Sequence, residues 1–437
     1  MMPTDRFDRQ LPVLLDELAQ PRTPDYFDDL LRQTARTRQR PAWTLIERWL
    51  PMVDIARQPV VAPRIPLRSI GLALLLIGLL IAALAAVVIG TRPKVPAPFG
   101  PAENGLVAYA KDGDIYTVHP ITGDSEAIIK GPELEEAPLY SRDGTHILFQ
   151  RGVLGGLAQL YVARSDGRDV RMLTPTPLVE LGKHNFSPDG SEVIFESTLD
   201  GVPSISIAKT DGSGVHPLQL GMEAYSPGYR PPHGEEIVFA GRSPGGRPGV
   251  YTVHRDGTGL QTLVAPANLD IYDVTWSPDG SRIAYAAQDV VIPAGDMDRV
   301  HILTLEGLTD RVLTPKPGVD WEGFLSWSND GTRLLIWRCY NAAPSDCETS
   351  FAVIPADGSG FGVDMDRGRE FQNVETDNQW APDDSSILTT PIDNLGQPLV
   401  RSLLWDPATG VSRTAPWGAP QFSSWPGYPS WQRVAAP

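Results

Sequence analysis

The sequence predicts an all-β main domain, a seven-bladed β-propeller, preceded by a transmembrane helix and a short helical N-terminal segment. Three observations carry this prediction. A strand-and-turn unit recurs seven times within residues 105–437, glycine (41) and proline (42) are abundant, and residues 70–89 include no charged side chain. Frequent glycine and proline favour tight turns, and therefore short strands over long helices.

Composition excludes several other classes of protein. The chain has 437 residues, of which 41% are hydrophobic and 21% charged, as in globular proteins rather than disordered ones. Its net charge of -16 argues against a nucleic-acid-binding surface, because phosphate contacts need basic groups. Two cysteines are too few for a disulfide framework, and they lack the additional ligands of a zinc site. We therefore expect no metal, no cofactor and no nucleic-acid partner.

Residues 1–68 are predicted to be a helical segment in the cytoplasm. One helix runs from Leu11 to Ala19, and a second begins at Thr23, which can cap it, followed by a proline suited to a first helical position. An apolar patch on the second helix consists of Tyr26, Phe27, Leu30 and Leu31. Two interpretations remain open. The segment is either a docking piece for a cytoplasmic protein partner or a partly ordered stalk, because so few helices bury little core.

Residues 69–90 are predicted to cross a membrane once. As a helix, the uncharged run from Ile70 to Ile89 is about 30 Å long, the thickness of a bilayer core. The alternatives are a buried core helix, which usually keeps a polar stripe, and a cleaved signal peptide, which starts nearer the N-terminus. Three arginines closely precede the run, against one arginine and one lysine after it. This charge bias favours a cytoplasmic N-terminus and an extracytoplasmic C-terminal domain.

Residues 91–104 are rich in proline and are predicted to be a linker that holds the outer domain away from the membrane. A short helical cytoplasmic segment, one span and an outer domain together resemble the layout of bacterial anti-sigma factors. The resemblance covers the layout only, because residues 1–68 lack the histidine and cysteine ligands of the zinc-type members. It implies a transmembrane sensor.

Two repeated elements predict the propeller in residues 105–437. The first is an aromatic residue, then Ser-Pro-Asp-Gly and an alternating strand, as in FSPDGSEVIF (186–195) and WSPDGSRIAY (276–285). The second is an alternating strand that ends in a turn with glycine, also in seven copies. The aromatic positions, 43 to 53 residues apart, are Tyr140, Phe186, Tyr229, Trp276, Trp327, Trp380 and Trp431. This period, with about four short strands a unit, is typical of propeller blades.

The phase of the repeats predicts how the ring closes. The first repeat lacks its aromatic turn, and the last supplies that turn at Trp431 but no strand after it, so the two ends would complete one blade. The Ser-Pro-Asp-Gly turns resemble the TolB-like propeller repeat over residues 105–437. That resemblance implies the fold and says little about function. TolB has six blades and a separate α/β domain, so six blades remain the alternative and its periplasmic partners are not transferred.

The two cysteines flank a short loop between strand-like segments. A hairpin would bring Cys339 and Cys347 together, and a disulfide there would agree with an oxidising compartment. The alternative is two free thiols near a turn.

Acidic residues lie a few positions before the aromatic residue in most repeats. If the repeats are in register, these acids cluster on one face, near the mouth of the channel, and we expect that face to bind a cation or a basic peptide. The alternative is the ordinary acidity of a protein surface. The candidate ligand-binding residues are Glu136, Glu180, Glu223, Asp270, Asp273, Asp320, Glu322, Glu375 and Asp377.

Motifs of the common hydrolases are absent from the sequence. It has no Gly-x-Ser-x-Gly elbow, no His-Glu-x-x-His pair and no glycine-rich phosphate loop. We therefore predict no catalytic residues and a membrane-anchored extracytoplasmic module that binds or senses a peptide, protein or envelope polymer. An extracytoplasmic propeller enzyme of lyase or hydrolase type, with its site in the funnel, is the alternative, and a passive scaffold is a third possibility.

Overall fold

Seven four-stranded antiparallel sheets, arranged as the blades of a propeller, contain the strands in the described part of this chain. The computed structural model describes residues 74–80, 96–152, 158–175, 184–289, 298–343, 346–365, 375–392, 402–417 and 429–435. Within these ranges the predicted all-β, seven-bladed fold is confirmed, and the six-bladed alternative is excluded.

The blades follow one another along the chain, except that the last strand belongs to the first blade. Blade 1 consists of β28 (Ser430–Val434), β1 (Glu103–Lys111), β2 (Asp114–Val118) and β3 (Ser125–Ile129). Blade 2 consists of β4 (Leu134–Tyr140), β5 (His146–Gly152), β6 (Ala158–Arg164) and β7 (Arg171–Met172). Blade 3 consists of β8 (His184–Phe186), β9 (Glu192–Leu199), β10 (Val202–Lys209) and β11 (Val215–Pro217). Blade 4 consists of β12 (Glu223–Tyr229), β13 (Glu236–Arg242), β14 (Pro248–His254) and β15 (Gln261–Val264).

The remaining three blades have the same strand order. Blade 5 consists of β16 (Leu269–Trp276), β17 (Arg282–Asp289), β18 (Asp298–Thr304) and β19 (Thr309–Val312). Blade 6 consists of β20 (Trp321–Trp327), β21 (Arg333–Ala343), β22 (Asp346–Pro355) and β23 (Val363–Asp364). Blade 7 consists of β24 (Glu375–Trp380), β25 (Ile387–Ile392), β26 (Leu403–Trp405) and β27 (Ser412–Thr414).

The first strand of each blade is the inner strand of the ring. Inner strands of successive blades contact one another, for example β12 with β16 and β28 with β4. The turns that follow them also adjoin: a Cβ placed on Gly331 would lie 3.3 Å from Cδ of Pro278 in the preceding turn. The inner strands therefore share one direction. We name their two ends the strand-start end, where the inner strands begin, and the turn end, where the aromatic turns lie.

The repeated aromatic residues form the cores between blades. Each is buried, and the packing is against strands of the preceding blade, for example Trp327 with Ala284 and Ile302, and Trp380 with Leu335. In blades 5, 6 and 7 an arginine of the preceding blade lies over the ring. The arginine-to-aromatic distances to the ring centre are 5.0 Å for Arg230 over Trp276, 4.8 Å for Arg282 over Trp327 and 4.9 Å for Arg333 over Trp380.

The Ser-Pro-Asp-Gly turns are held by the aspartate. In blade 5, Asp279 accepts hydrogen bonds from Ser277 Oγ at 2.5 Å and from Ser281 N at 3.1 Å. Burial alone would raise the pKa of Asp279, but these hydrogen bonds outweigh it and hold the pKa below its usual value. The glycine that follows, Gly280, has a φ of 67°, in the left-handed region that glycine adopts at little cost.

Blades 6 and 7 depart together from this turn sequence. Asn329 stands where the turns of blades 3, 5 and 7 have proline. Asp384 stands where the turns of blades 2, 3, 5 and 6 have glycine, and it has a φ of 60°. The buried carboxylate of Asp384 accepts hydrogen bonds from Asn329 N at 2.7 Å, Asn329 Nδ2 at 2.8 Å and Asp330 N at 2.8 Å. A polar contact thus replaces the proline-to-glycine packing seen between other turns.

The ring closes as the repeat phase predicts. β28, from the C-terminal end of the described chain, pairs antiparallel with β1, and Trp431 is buried between blades 7 and 1. Across the next seam, Gln432 Nε2 donates to the carbonyl of Gly144 at 2.8 Å. The closing blade therefore contacts a neighbouring blade on each side, as the other six blades do.

Most of the N-terminal predictions lie outside the described residues. Of the predicted span 69–90, residues 74–80 are described, as a helix with exposed side chains. No helix within the described ranges has the length and apolar character needed to cross a membrane. The apolar patch of Tyr26, Phe27, Leu30 and Leu31 lies outside those ranges.

The cysteine hairpin is the longest among the described strands, with 11 residues in β21 and 10 in β22. Cys339, on β21, is buried and disulfide-bonded. Cys347, the other cysteine of the sequence, lies on the neighbouring strand β22, and its side chain is not described.

Candidate functional site

The predicted acidic residues lie where the inner strands begin. Glu136, Glu223, Asp270 and Asp273 are on inner strands of blades 2, 4 and 5, and Asp320 directly precedes the inner strand of blade 6. Glu375 and Asp377 are on the inner strand of blade 7, with side chains that are not described, and Glu180 lies outside the described residues. Apart from Glu180, these acids therefore lie on inner strands or directly before one.

Glu322 is not available to a ligand, although it occupies the same end. Its side chain is 2% exposed and accepts a hydrogen bond at 2.8 Å from Nε of Arg338, which is 1% exposed and lies directly opposite on β21. Arg338 Nη1 also donates to Asp364 at 2.5 Å, and Lys316 pairs with the same carboxylate. These charges stabilise the base of the β21–β22 hairpin.

The same cross-strand pair occurs in blade 2. Glu135 is fully buried and accepts a hydrogen bond at 3.1 Å from Nε of Arg151, its partner across β4 and β5. Burial raises the pKa of Glu135, and the charge of Arg151 opposes this shift. The neighbouring Glu136 is half-buried. Acids at this position of the inner strand therefore point into the blade and act as structural ion pairs.

The acids of blades 4 and 5 come together instead at the seam between these blades. Ser226 Oγ donates to Asp273 Oδ1 at 2.9 Å, and Ser226 N donates to Glu196 Oε1, from blade 3, at 2.6 Å. One serine thus contacts a carboxylate on each side. We name this group the seam cluster; its residues are Glu196, Glu223, Tyr225, Ser226, Asp270 and Asp273.

A backbone irregularity positions Ser226 for both contacts. The pairing of β12 with β13 shifts register between Tyr225 and Gly228, and Ser226 has a φ of 55°. Such a bulge redirects a side chain and leaves a main-chain N–H unpaired within the ladder. Here that N–H is satisfied by Glu196 rather than by a strand. A left-handed serine is unfavourable, so the surrounding contacts hold it there.

Tyr225 connects the remaining acids of the seam cluster. Its hydroxyl donates to the carbonyl of Ile271 at 2.9 Å, which joins blade 4 to blade 5. Burial, together with the nearby negative charges of Asp270 and Glu223, raises the pKa of Tyr225 to about 12. Arg242 lies 3.6 Å from Asp270, and both side chains are 44% exposed. The cluster is therefore acidic, half-buried and open to a cationic group.

Sequence reasoning identified three members of this cluster and missed the other three. Glu223, Asp270 and Asp273 were expected from their distance to the aromatic turns. Glu196, Tyr225 and Ser226 were not, because Glu196 comes from a second strand and the role of Ser226 depends on the bulge. Within the described ranges, no group of three or more histidine, cysteine, aspartate or glutamate side chains has the arrangement of a metal site.

Comparison with known proteins identifies the type of propeller. Residues 102–289 match the family model of the TolB beta propeller domain. Over residues 102–289, the propeller is therefore similar to the TolB beta propeller domain. A putative TolB from Agrobacterium tumefaciens is 18% identical, with 65% of this chain and 96% of that chain covered and a TM-score of 0.44.

Two larger solved proteins have similar propellers. A prolyl endopeptidase structure is 12% identical, with 74% of this chain and 50% of that chain covered and a TM-score of 0.55. The tricorn protease is 10% identical, with 78% of this chain and 36% of that chain covered and a TM-score of 0.52. At these identities the likeness shows the shared fold alone. The chain spans half or less of the length of these two proteins.

Proposed function

We propose that this protein is a binding or sensing module without catalytic activity, and that its TolB-like propeller takes up a basic peptide segment at the seam cluster. The observation that carries the proposal is the convergence of acids from three blades around Ser226. Glu196 and Asp273 both contact that serine, and Asp270 and Glu223 both act on Tyr225 beside it. A net charge of -16 would attract a basic partner over long distances.

The geometry favours a guanidinium or ammonium group over a metal ion. The acids are spread along a seam, and among described residues they do not form a metal-ligand group. Arg242 beside Asp270 is an internal example of the contact that a ligand's arginine would make, at 3.6 Å and in a solvent-exposed setting. Arginine suits this site because its planar fork can donate to two carboxylates at once.

A graded panel of peptides tests the binding proposal. Peptides of equal length, ranging from acidic to basic, are titrated into the full-length protein, and we expect affinity to rise with basic charge and to fall with added salt. The double variant Glu223→Gln, Asp270→Asn should weaken binding of the basic peptides about tenfold, since two partly exposed charge contacts are each worth up to about 1 kcal/mol.

The matched control is the double variant Asp211→Asn, Asp256→Asn, which removes two negative charges from exposed turns of blades 3 and 4. It should leave the affinity within twofold of the unmodified protein. Equal losses in the control and in the seam variants would show that only net charge matters, and would contradict a site at the seam. Turnover of a peptide or glycan during the titration would instead favour the enzyme alternative.

Membrane anchoring and signalling extend this proposal to residues 1–90. We propose that residues 69–90 span the cell membrane, with residues 1–68 in the cytoplasm and the propeller outside. A cysteine placed at position 60 should resist a membrane-impermeant thiol reagent in intact cells and react after lysis. Residues 1–68 should capture a cytoplasmic protein, and the variant Leu30→Asp, Leu31→Asp should lose it. Labelling at position 60 in intact cells would contradict the orientation.

A further inference from the structure

A short segment of chain lies across the turn end of the propeller, opposite to the seam cluster. This segment, residues 96–101, which we name the strap, is followed by Ala102, whose N–H donates to the carbonyl of Pro382 at 2.9 Å. The ring of Phe99 lies against Arg142, with 5.1 Å between the guanidinium carbon and the ring centre. The strap is thus attached to turns of blades 7 and 2.

Arg433, on the closing strand β28, donates hydrogen bonds to the strap. Its side chain is 5% exposed. Nη1 donates to Asn329 Oδ1 at 2.9 Å, and Nη2 donates to the carbonyls of Ala97 at 3.2 Å and Gly100 at 2.5 Å. The buried Nε has no hydrogen-bond partner among the described residues. An unpaired N–H of a buried cation is costly, so this arrangement is incomplete.

The unpaired atom and the strap contact belong to the same edge of the guanidinium. Nε and Nη2 point the same way and form the side-on fork that receives the two oxygens of a carboxylate. In this structure, main-chain carbonyls of the strap occupy one prong of the fork and leave the other empty. A carboxylate would satisfy both prongs with its two oxygens, whereas both strap carbonyls here bind Nη2.

A second cation makes the same place favourable for an anion. Arg142 donates no hydrogen bond within the described part of the chain, and its one ring contact is Phe99. Burial, and then the positive charge of Arg142, lowers the pKa of Arg433 to about 10. The nearest opposing charge, Asp384, is already engaged by three N–H groups. Among the described residues, the pair of arginines therefore has no carboxylate within hydrogen-bond distance.

A cavity beside the strap has room for a peptide chain that leads to the two arginines. A shallow cavity of about 360 Å³ lies between the strap and the end of β28, with Pro96, Pro101 and Val434 among its lining residues. The lining is mostly apolar, as expected for a surface that receives a peptide rather than a free ion.

We propose that Arg142 and Arg433 form a binding site for the C-terminal carboxylate of a peptide whose last residue is aromatic, and that the strap occupies this site as an internal substitute. The carboxylate would take the Nε–Nη2 fork of Arg433, and the aromatic ring would replace Phe99 against Arg142. The site is independent of the proposed function at the seam cluster, which lies at the other end of the inner strands. Because the strap is tethered, a free peptide must compete with a high local concentration of the substitute.

The strap itself supplies the probe for a test. Its residues 97–99 read Ala-Pro-Phe, so the tripeptide Ala-Pro-Phe with a free carboxylate is compared with the same peptide as the C-terminal amide. Binding to the full-length protein is measured by calorimetry. Phe99→Ala weakens the competing strap, and we expect it to raise affinity for the acid about fivefold, as the loss of one cation–π contact implies. The acid should bind this variant at least about tenfold more tightly than the amide.

Two arginine variants in the Phe99→Ala background complete the design. Arg142→Gln should lower affinity for the acid about tenfold, whereas Arg164→Gln, which removes an exposed arginine on β6, should leave it unchanged. Because Arg433 is buried, Arg433→Gln is compared only if its melting temperature stays close to that of Phe99→Ala. Equal binding of acid and amide, no gain from Phe99→Ala, or no binding by that variant would each overturn the proposal.

Discussion

Replacing Asn329 with proline and Asp384 with glycine tests whether the departure of blades 6 and 7 from the repeat is a single coupled exchange. The double change restores the residues that other blades have at both positions. Each single change removes one of the two residues and leaves the other without that hydrogen-bond partner. We expect the first single variant to be the least stable of the set and the double variant to recover most of the loss.

The size of the effect follows from the hydrogen bonds. Asn329→Pro removes two of the three N–H groups that bind the Asp384 carboxylate. Each such bond to a charged group is worth about 1.5 to 3 kcal/mol. The total loss is limited because the carboxyl can take up a proton instead, which costs about 4 kcal/mol at pH 7. We therefore expect Asn329→Pro to cost about 3 to 4 kcal/mol, and Asp384→Gly about 1 to 2 kcal/mol.

The double variant should lie within about 1 kcal/mol of the unmodified protein, which gives a coupling of about 4 kcal/mol. The remaining deficit comes from the lost acceptor for Arg433, which is absent in both proline variants and so cancels from the coupling. Urea unfolding of the four proteins, followed by circular dichroism, supplies the free energies. Additive losses would refute the idea of a coupled exchange.

A pH series gives a second signature. Burial raises the pKa of Asp384, and the hydrogen bonds from Asn329 oppose that shift. Without Asn329 the pKa should rise further. A carboxyl with a raised folded-state pKa destabilises the protein as pH rises through that pKa, and the penalty disappears as pH falls. The deficit of Asn329→Pro should therefore shrink by about half between pH 7 and pH 5, since protonation then costs about 1.5 kcal/mol.

Three further predictions concern the blades themselves. Arg338→Met should lower the free energy of unfolding by about 3 to 5 kcal/mol, because it leaves the buried charge of Glu322 without its ion-pair partner. Adding Glu322→Leu should restore most of the loss in urea titrations. Because the pKa of Asp279 is lowered in the folded state, its contribution to stability is present above about pH 4 and lost as pH falls further. Asp279→Asn should therefore lose less stability between pH 5 and pH 2 than the unmodified protein. Equal losses in the two proteins would contradict this prediction. Reduction of the disulfide at Cys339 should destabilise the protein by about 2.5 kcal/mol if it closes the loop of about nine residues to Cys347, and thiol titration should find no free cysteine before reduction.

The ring could be predicted from sequence because its information is local and repeated. The truncated last repeat at Trp431, set against a first repeat without an aromatic turn, gave the closure of β28 on β1. The exchange between Asn329 and Asp384 was also visible, as two departures in consecutive copies of one turn. Both features depend on residues at fixed distances along the chain.

The direction of the acidic side chains could not be predicted in the same way. Residues alternate between the two faces of a strand, and a bulge shifts that alternation by one. The pairing shifts between Glu136 and Leu139 in one blade and between Ile271 and Asp273 in another. Glu322 therefore pairs inside its blade while Asp273 reaches the neighbouring blade. One signal was available: an arginine follows both Glu135 and Glu322 at the same distance, directly across the hairpin.

The closure of blade 1 also determines how long one strand edge stays unpaired while the chain is synthesised. β1 is made early, yet its partner β28 emerges after roughly 320 further residues, which takes roughly 15 to 65 s at ordinary elongation rates. Throughout that interval the inner edge of the nascent first blade is unpaired and able to pair with another chain. β28 thus pairs with the strand edge that has been exposed longest. A chain that ended just before residue 430 would have six complete blades and one blade with an unpaired strand edge.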